Sequence, residues 1–301
     1  MASPEKFIFY AYQPSMAGAV ILTVLFGLSC IWRIKQMIQS RTWYFIPFVI
    51  GCLFETVGYI GRALSSSESF PNFNLNPYIV QSLLILLGPT LFAASIYMIL
   101  GRLICLLDAD AYSMIPPRWL TKVFVLGDVL SFFAQGGGGG MLTTAKTPAD
   151  VQRGNNVILG GLGIQVLFFG GFCVVTAVFH LRIRRQPTGK SSQEQAAAVT
   201  TEKPWKSLVY VLYAASLLIM VRSLFRVAEY AQGQTGALQG HEYWLYILDS
   251  VPMLAVSVLF NWMHPSGVVS SKGEKDANDN SDYVMEEGVV GHVLVQGRSK
   301  E

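Results

Sequence analysis

The chain has 301 residues, 52% of them hydrophobic and only 14% charged, with a formal net charge of +3 and a mean hydropathy of +0.42. Such a composition excludes a soluble domain of this size and describes an all-α, polytopic integral membrane protein. Membrane lipid is the expected partner, and nucleic acid is not.

Seven windows of about 20 residues are nearly free of charge, each long enough to cross a hydrocarbon core of about 30 Å as a helix. In chain order they are Ser15 to Ile34, Tyr44 to Leu64, Pro77 to Leu100, Trp119 to Leu142, Asn155 to His180, Ser207 to Tyr230 and Tyr243 to Met263. Residues 1–14 lack a basic n-region, so the first window reads as a retained anchor. The three parts expected are an extracellular N-terminus (1–14), a seven-helix transmembrane domain (15–264) and a disordered cytosolic tail (265–301) rich in Gly, Ser, Asp and Asn.

Orientation follows from Lys and Arg. The loops after spans one, three and five and the C-terminal tail hold sixteen, among them Arg33, Arg102, Lys122 and the run RIRRQ. The N-terminus and the even-numbered loops hold three, Lys6, Lys146 and Arg153. An N-terminus outside and a C-terminus in the cytosol are expected. The loop from Leu181 to Lys206 reads as flexible and headgroup-facing. Trp43, Tyr44, Trp119, Trp205, Tyr243 and Trp244 read as interfacial anchors. The four cysteines fall in or at the edge of spans, so no disulfide framework is expected.

Span two carries Glu55 and Arg62, seven residues apart on one face. Span four carries Asp128, Ser131 and Gln135 at i, i+3, i+7. Span five adds Gln165, span six adds Arg222, Arg226 and Glu229 at i, i+4, i+7, and span seven adds Asp249. A rise of about 1.5 Å per residue puts Arg62, Gln135, Arg222, Arg226, Glu229 and Asp249 in the outer half of the bilayer, and Glu55, Asp128 and Gln165 near its middle. Two readings stand side by side: an outward-opening polar cavity walled by spans two, four, six and seven, or a buried ion-pair network that fixes packing. Four acids face three bases, so complete pairing leaves one carboxylate over. Asp128 is the candidate, because its own helix offers no base within the membrane. It would serve as a proton-coupling site or as the counter-charge for an amine.

Gln135 runs into five glycines, Gly136 to Gly140. These either pack closely against the Gly160, Gly161 and Gly163 face of span five or mark a hinge. His180, His241, His264 and His292 show no ligand spacing, so no metal or cofactor is expected. No phosphate-binding GxxxxGK[ST] occurs, and no nucleophile and base set points to an enzyme.

The ordered motifs YQPS (Tyr12 to Ser15), FETVGYIGR (Phe54 to Arg62), GPTLFAASIYMILGR (Gly88 to Arg102) and KVFVLGDVLSFFAQGGGGG (Lys122 to Gly140) carry a resemblance. GGLGIQVLFFGGF (Gly160 to Phe172), VRSLFRVAEYAQGQTGAL (Val221 to Leu238), HEYWLYILDSVPM and FNWMHP continue it. The chain resembles the fungal lipid-translocating exporter family, which includes aminocholesterol-resistance and sphingoid long-chain-base resistance proteins. The resemblance implies a seven-helix membrane protein, often of the plasma membrane, linked to resistance against toxic amphiphiles and to outward movement of sphingoid bases. It supplies no binding residues. A lipid exporter is therefore the expected function, with a seven-helix sensor of lipid or drug stress as the alternative.

Overall fold

The computed structural model describes residues 15–67, 75–145, 147–189, 205–232, 238 and 242–263, with backbone alone over 75–80. The expected extracellular segment 1–14, the whole tail 265–301 and residues 190–204 of the long loop lie outside the described residues.

Among the described residues the chain is entirely helical. Seven long helices follow one another: α1 (Met16–Gln39), α2 (Ile46–Ser66), α3 (Leu75–Leu106), α4 (Pro117–Thr144), α5 (Pro148–Arg185), α6 (Trp205–Gln232) and α7 (Glu242–Trp262). Six are long and apolar enough to cross a membrane. The other, α4, has 28 residues, but its six glycines and its polar stripe lower its apolarity. Helices α1, α3, α4, α5 and α6 run past their expected windows into polar sequence, whereas α2 and α7 keep the expected length with ends shifted by one or two residues. Thus Arg182, Arg184 and Arg185, expected at the start of a loop, form the last turn of α5, where cations suit the negative end of the helix dipole. At the other end of α5 Thr147 and Asp150 form a capping box.

Packing follows chain order, α1 on α2, α2 on α3, α3 on α4 and α4 on α5, with α6 and α7 closing against α3, α5 and α1. On α1, Ala19, Leu22, Phe26, Cys30, Arg33 and Met37 recur every three or four residues and face inward. Leu28, Trp32, Phe133, Leu167 and Trp262 are among many large apolar side chains left on the outside, a surface suited to lipid and not to water. Trp43, Trp119 and Tyr243 are likewise exposed, as anchors should be, whereas Trp205 is buried inside the bundle.

Two prolines shape the interior. Pro89 stands within α3, where it has no N–H to give the carbonyl of Ile85. Pro252 lies just after a π-turn, Tyr246–Ser250, that turns Asp249 and Ser250 into the core.

The five-glycine run stays helical. Gly138 alone of the five meets α5: a Cβ there would stand 2.8 Å from the Gly154 carbonyl oxygen and 2.7 Å from Ile158. Gly161 abuts Ser131 and Gln135, and Gly160 and Gly163 face open space. The expected packing of the run on the Gly160, Gly161 and Gly163 face is thus not what forms: Gly138 packs on Gly154 and Ile158, and Gly161 packs on Ser131, Ala134 and Gln135.

Candidate functional site

The α6 stripe meets Asp249 from α7. Arg226 grips Asp249 with two nitrogens, at 3.1 and 2.8 Å, and donates to Glu229 at 3.1 Å. Arg222 places Nε 2.7 Å from the Asp249 carboxylate. Its other arm donates at 2.8 Å to the Ile85 carbonyl, the acceptor that Pro89 leaves free. A guanidinium has a fork of donors wide enough to hold a carboxylate and a carbonyl together. Arg222 and Asp249 are each about 1% exposed. These four residues form a closed ion network, and burial makes each charge dependent on the others.

Arg62 belongs to a separate group nearer the chain start of α1. It pairs with Glu242 at 2.7 Å and lies 3.4 Å from the Tyr246 hydroxyl, which itself donates to Glu242 at 2.7 Å. Glu242 also accepts the Ser15 backbone N–H at 2.9 Å, fastening α1, α2 and α7 at one end. Glu242 was outside the expected span and so outside the charge count. Its presence changes the balance: with Arg62 engaged there, Arg222 and Arg226 serve Asp249 and Glu229. Both Glu55 and Asp128 are then left without an ion-pair partner among the described contacts.

Glu55 is 1% exposed, and its Oε1 has no hydrogen-bond partner. Its carboxyl occupies the space that a side chain on Gly88 of α3 would take, 2.6 Å from where a Cβ would stand. Below it on α2, Cys52 contacts Ser257 of α7 at 3.3 Å, and above it Tyr59 shares a hydrogen bond with Ser250.

Asp128 sits on the other side of α3. Among the described residues its hydrogen-bond partner is the Tyr97 hydroxyl, which donates at 3.0 Å. It forms the charged point of a groove of about 100 Å³ between α3 and α4, lined otherwise by Leu87, Thr90, Leu91, Ala94, Val125, Val129 and Phe132. Of the lining residues, Val129 is 41% exposed on the outside of the bundle. One helical step further along α4, Ser131 donates to the Gly161 carbonyl at 2.8 Å, and Gln135 reaches both Ser131 and, at 3.2 Å, Gln165. This pair of amides joins α4 to α5 and does not line the groove.

The nine expected residues thus fall into separate groups: the Arg222, Arg226, Glu229, Asp249 network with Glu55 beside it, the Arg62 fastening, the Gln135 and Gln165 joint, and Asp128 in its groove. The sequence reading missed α3 as a wall, together with Tyr97, Glu242 and Tyr246. It also placed Arg33 in a loop. Arg33 is instead fully buried, its guanidinium 5.1 and 5.0 Å from the Phe45 and Phe48 rings with no hydrogen-bond partner. The signal was present, since Arg33 continues the Leu22, Phe26, Cys30 row of inward positions.

The architecture and the buried polar groups define a multi-pass helical membrane protein. Residues 48–272 match the family described as RTA1 like protein, and the chain belongs to that family. It is 34% identical over 290 residues to protoporphyrin uptake protein 1 of Saccharomyces cerevisiae, covering 85% of this chain and 91% of that protein. It is 30% identical over 271 residues to the probable lipid transporter atnI of Emericella nidulans, covering 86% and 68%. It is also 24% identical over 290 residues to the sphingoid long-chain base transporter RSB1 of S. cerevisiae, covering 88% and 75%. No solved structure matches the chain. The resemblance to a fungal family of lipid-linked membrane proteins is thereby borne out.

Proposed function

We propose that this protein is a non-enzymatic carrier that moves amine-bearing amphipathic lipids outward across the plasma membrane, with Asp128 as the counter-charge for the amine. The observation that carries the reading is the α3–α4 groove. It offers one carboxylate with no base against it, at the bottom of an apolar cleft. A cationic headgroup would neutralise Asp128 in a medium where an isolated charge is expensive. Tyr97 would hold the carboxylate in place. At about 100 Å³ the groove is smaller than the roughly 300–1,000 Å³ of an enclosing ligand pocket. It suits the head of an amphiphile whose chain stays in the surrounding bilayer. Two relatives carry names that speak of lipid and sphingoid-base transport, and a sphingoid base combines an amine with a long chain.

In this reading all seven helices span the membrane, α4 included, since 28 residues rise about 42 Å as a helix. The N-terminus lies outside and the C-terminus in the cytosol, the orientation that the distribution of basic residues favours. The other candidate residues, Glu55, Arg62, Gln135, Gln165, Arg222, Arg226, Glu229 and Asp249, lie outside the groove and serve the reading only by holding the helices that frame it. Outward movement would protect cells from amphiphiles that enter by themselves.

Cells sensitised to sphingoid bases test the proposal. The wild-type chain should restore growth, and Asp128→Asn at equal surface level should not; full protection by the variant would remove Asp128 from the mechanism. A C-terminal tag that antibody reaches on intact cells would overturn the orientation.

A further inference from the structure

Three carboxylates, Glu55, Glu229 and Asp249, share the interior between α2, α6 and α7 with two guanidiniums, Arg222 and Arg226. With all five ionised the cluster carries a net charge of −1, held in a medium that solvates it poorly. Glu229 and Asp249 have their arginines within 3.1 Å. The excess therefore falls on Glu55, whose buried Oε1 meets no donor. The charged and titratable groups that act on it are Arg222 and Arg226 from α6 and Asp249 from α7. Cys52 and Tyr59 are its neighbours on α2. From α3 it meets Gly88, which has no side chain. That fit accommodates a proton and little else. A hard metal cation calls for several oxygen ligands, and no metal-binding group of three His, Cys, Asp or Glu side chains occurs among the described residues.

We propose that Glu55 is a proton-binding site, and that its occupancy is passed through α3 to the groove that holds Asp128. The route is short. Gly88 touches the Glu55 carboxyl, Leu87, Thr90 and Leu91 line the groove, and Pro89 lies between them. At that point the α3 ladder is open, and the Ile85 carbonyl is held by Arg222 in place of a backbone N–H. When the Glu55 O–H bond breaks and its proton passes to water, a third carboxylate stands beside Arg222 and competes with Asp249 and Ile85 for its donors. Release of Ile85 frees α3 to bend at Pro89 and so to reshape the groove wall. Energy for outward movement would then come from a proton gradient. The coupling rests on the lipid-carrier reading; the proton site does not.

Infrared spectra of the purified protein in nanodiscs, recorded across pH, read the site without any transport. A C=O band of a protonated carboxyl should be lost in Glu55→Gln and kept in Asp128→Asn; a spectrum that Glu55→Gln leaves unchanged would overturn the proton site. In vesicles, an imposed pH gradient should change the rate of sphingosine movement by the wild type and leave that of Glu55→Gln unchanged. An equal response of both would overturn the coupling. Wild-type vesicles that move no sphingosine under any gradient would sink the carrier reading and with it the coupling, and the infrared band alone would then decide the proton site.

Discussion

Asp249 serves two arginines at once, and that concentration of partners makes it the most sensitive residue of the interior. Removing it leaves Arg222 and Arg226 buried with one carboxylate between them, and breaking such a pair costs about 3–5 kcal/mol. Asp249→Ala should therefore lower the unfolding midpoint in detergent far more than Glu229→Ala, because Glu229 contacts Arg226 alone and Arg226 keeps its two bonds to Asp249. Equal losses from the two variants would contradict the geometry. The arginines and acids of this network were legible in the sequence, since an i, i+4, i+7 row of charges in an apolar window has one plausible direction to face. Their partners were less so. Glu242 lies one residue outside the apolar window of its helix, and a count confined to windows could not include it. Arg33 followed the same rule in reverse. A basic residue at a window's end is ordinarily an interfacial cation, and only the row of inward positions on α1 marks it as buried.

At the scale of the helix, sequence fixed the number and order of elements well, because charge-free windows of spanning length have few alternatives. Local irregularity was harder to see. The π-turn at Tyr246–Ser250 and the role of Pro89 each depend on what a neighbouring helix offers to the freed carbonyl, a tertiary fact. The glycine run shows the same limit: composition raised both packing and hinge, and the neighbour decided. Gly138→Ala would press a methyl group into the Gly154 carbonyl and Ile158 and should destabilise by about 1–3 kcal/mol. Gly136→Ala meets nothing within 4 Å and should be neutral or stabilise by up to about 1 kcal/mol through helix propensity. Thermal unfolding of the two variants in one detergent would compare them directly; similar midpoints would mean that α4 does not lie against α5 at Gly138.

The whole molecule divides its buried charges between two tasks. Most of them hold helices together, as the network of α6 and α7 and the fastening at Glu242 do. Asp128 stands apart, buried between α3 and α4 in an apolar groove. The sequence reading singled it out because its helix held no base, and the groove adds the missing wall, α3. That wall was hidden because its lining residues, Leu87, Leu91 and Ala94, carry no polar signal in a chain that is apolar throughout.

The most direct measurement is translocation of a fluorescent sphingoid base across vesicles containing only the purified chain. The wild type should move it faster than protein-free vesicles, and Asp128→Asn should be slower by about tenfold or more, the equivalent of one charge-assisted hydrogen bond of roughly 1.5–3 kcal/mol. A wild-type rate no higher than that of empty vesicles, or an Asp128→Asn rate equal to the wild type, would contradict the account.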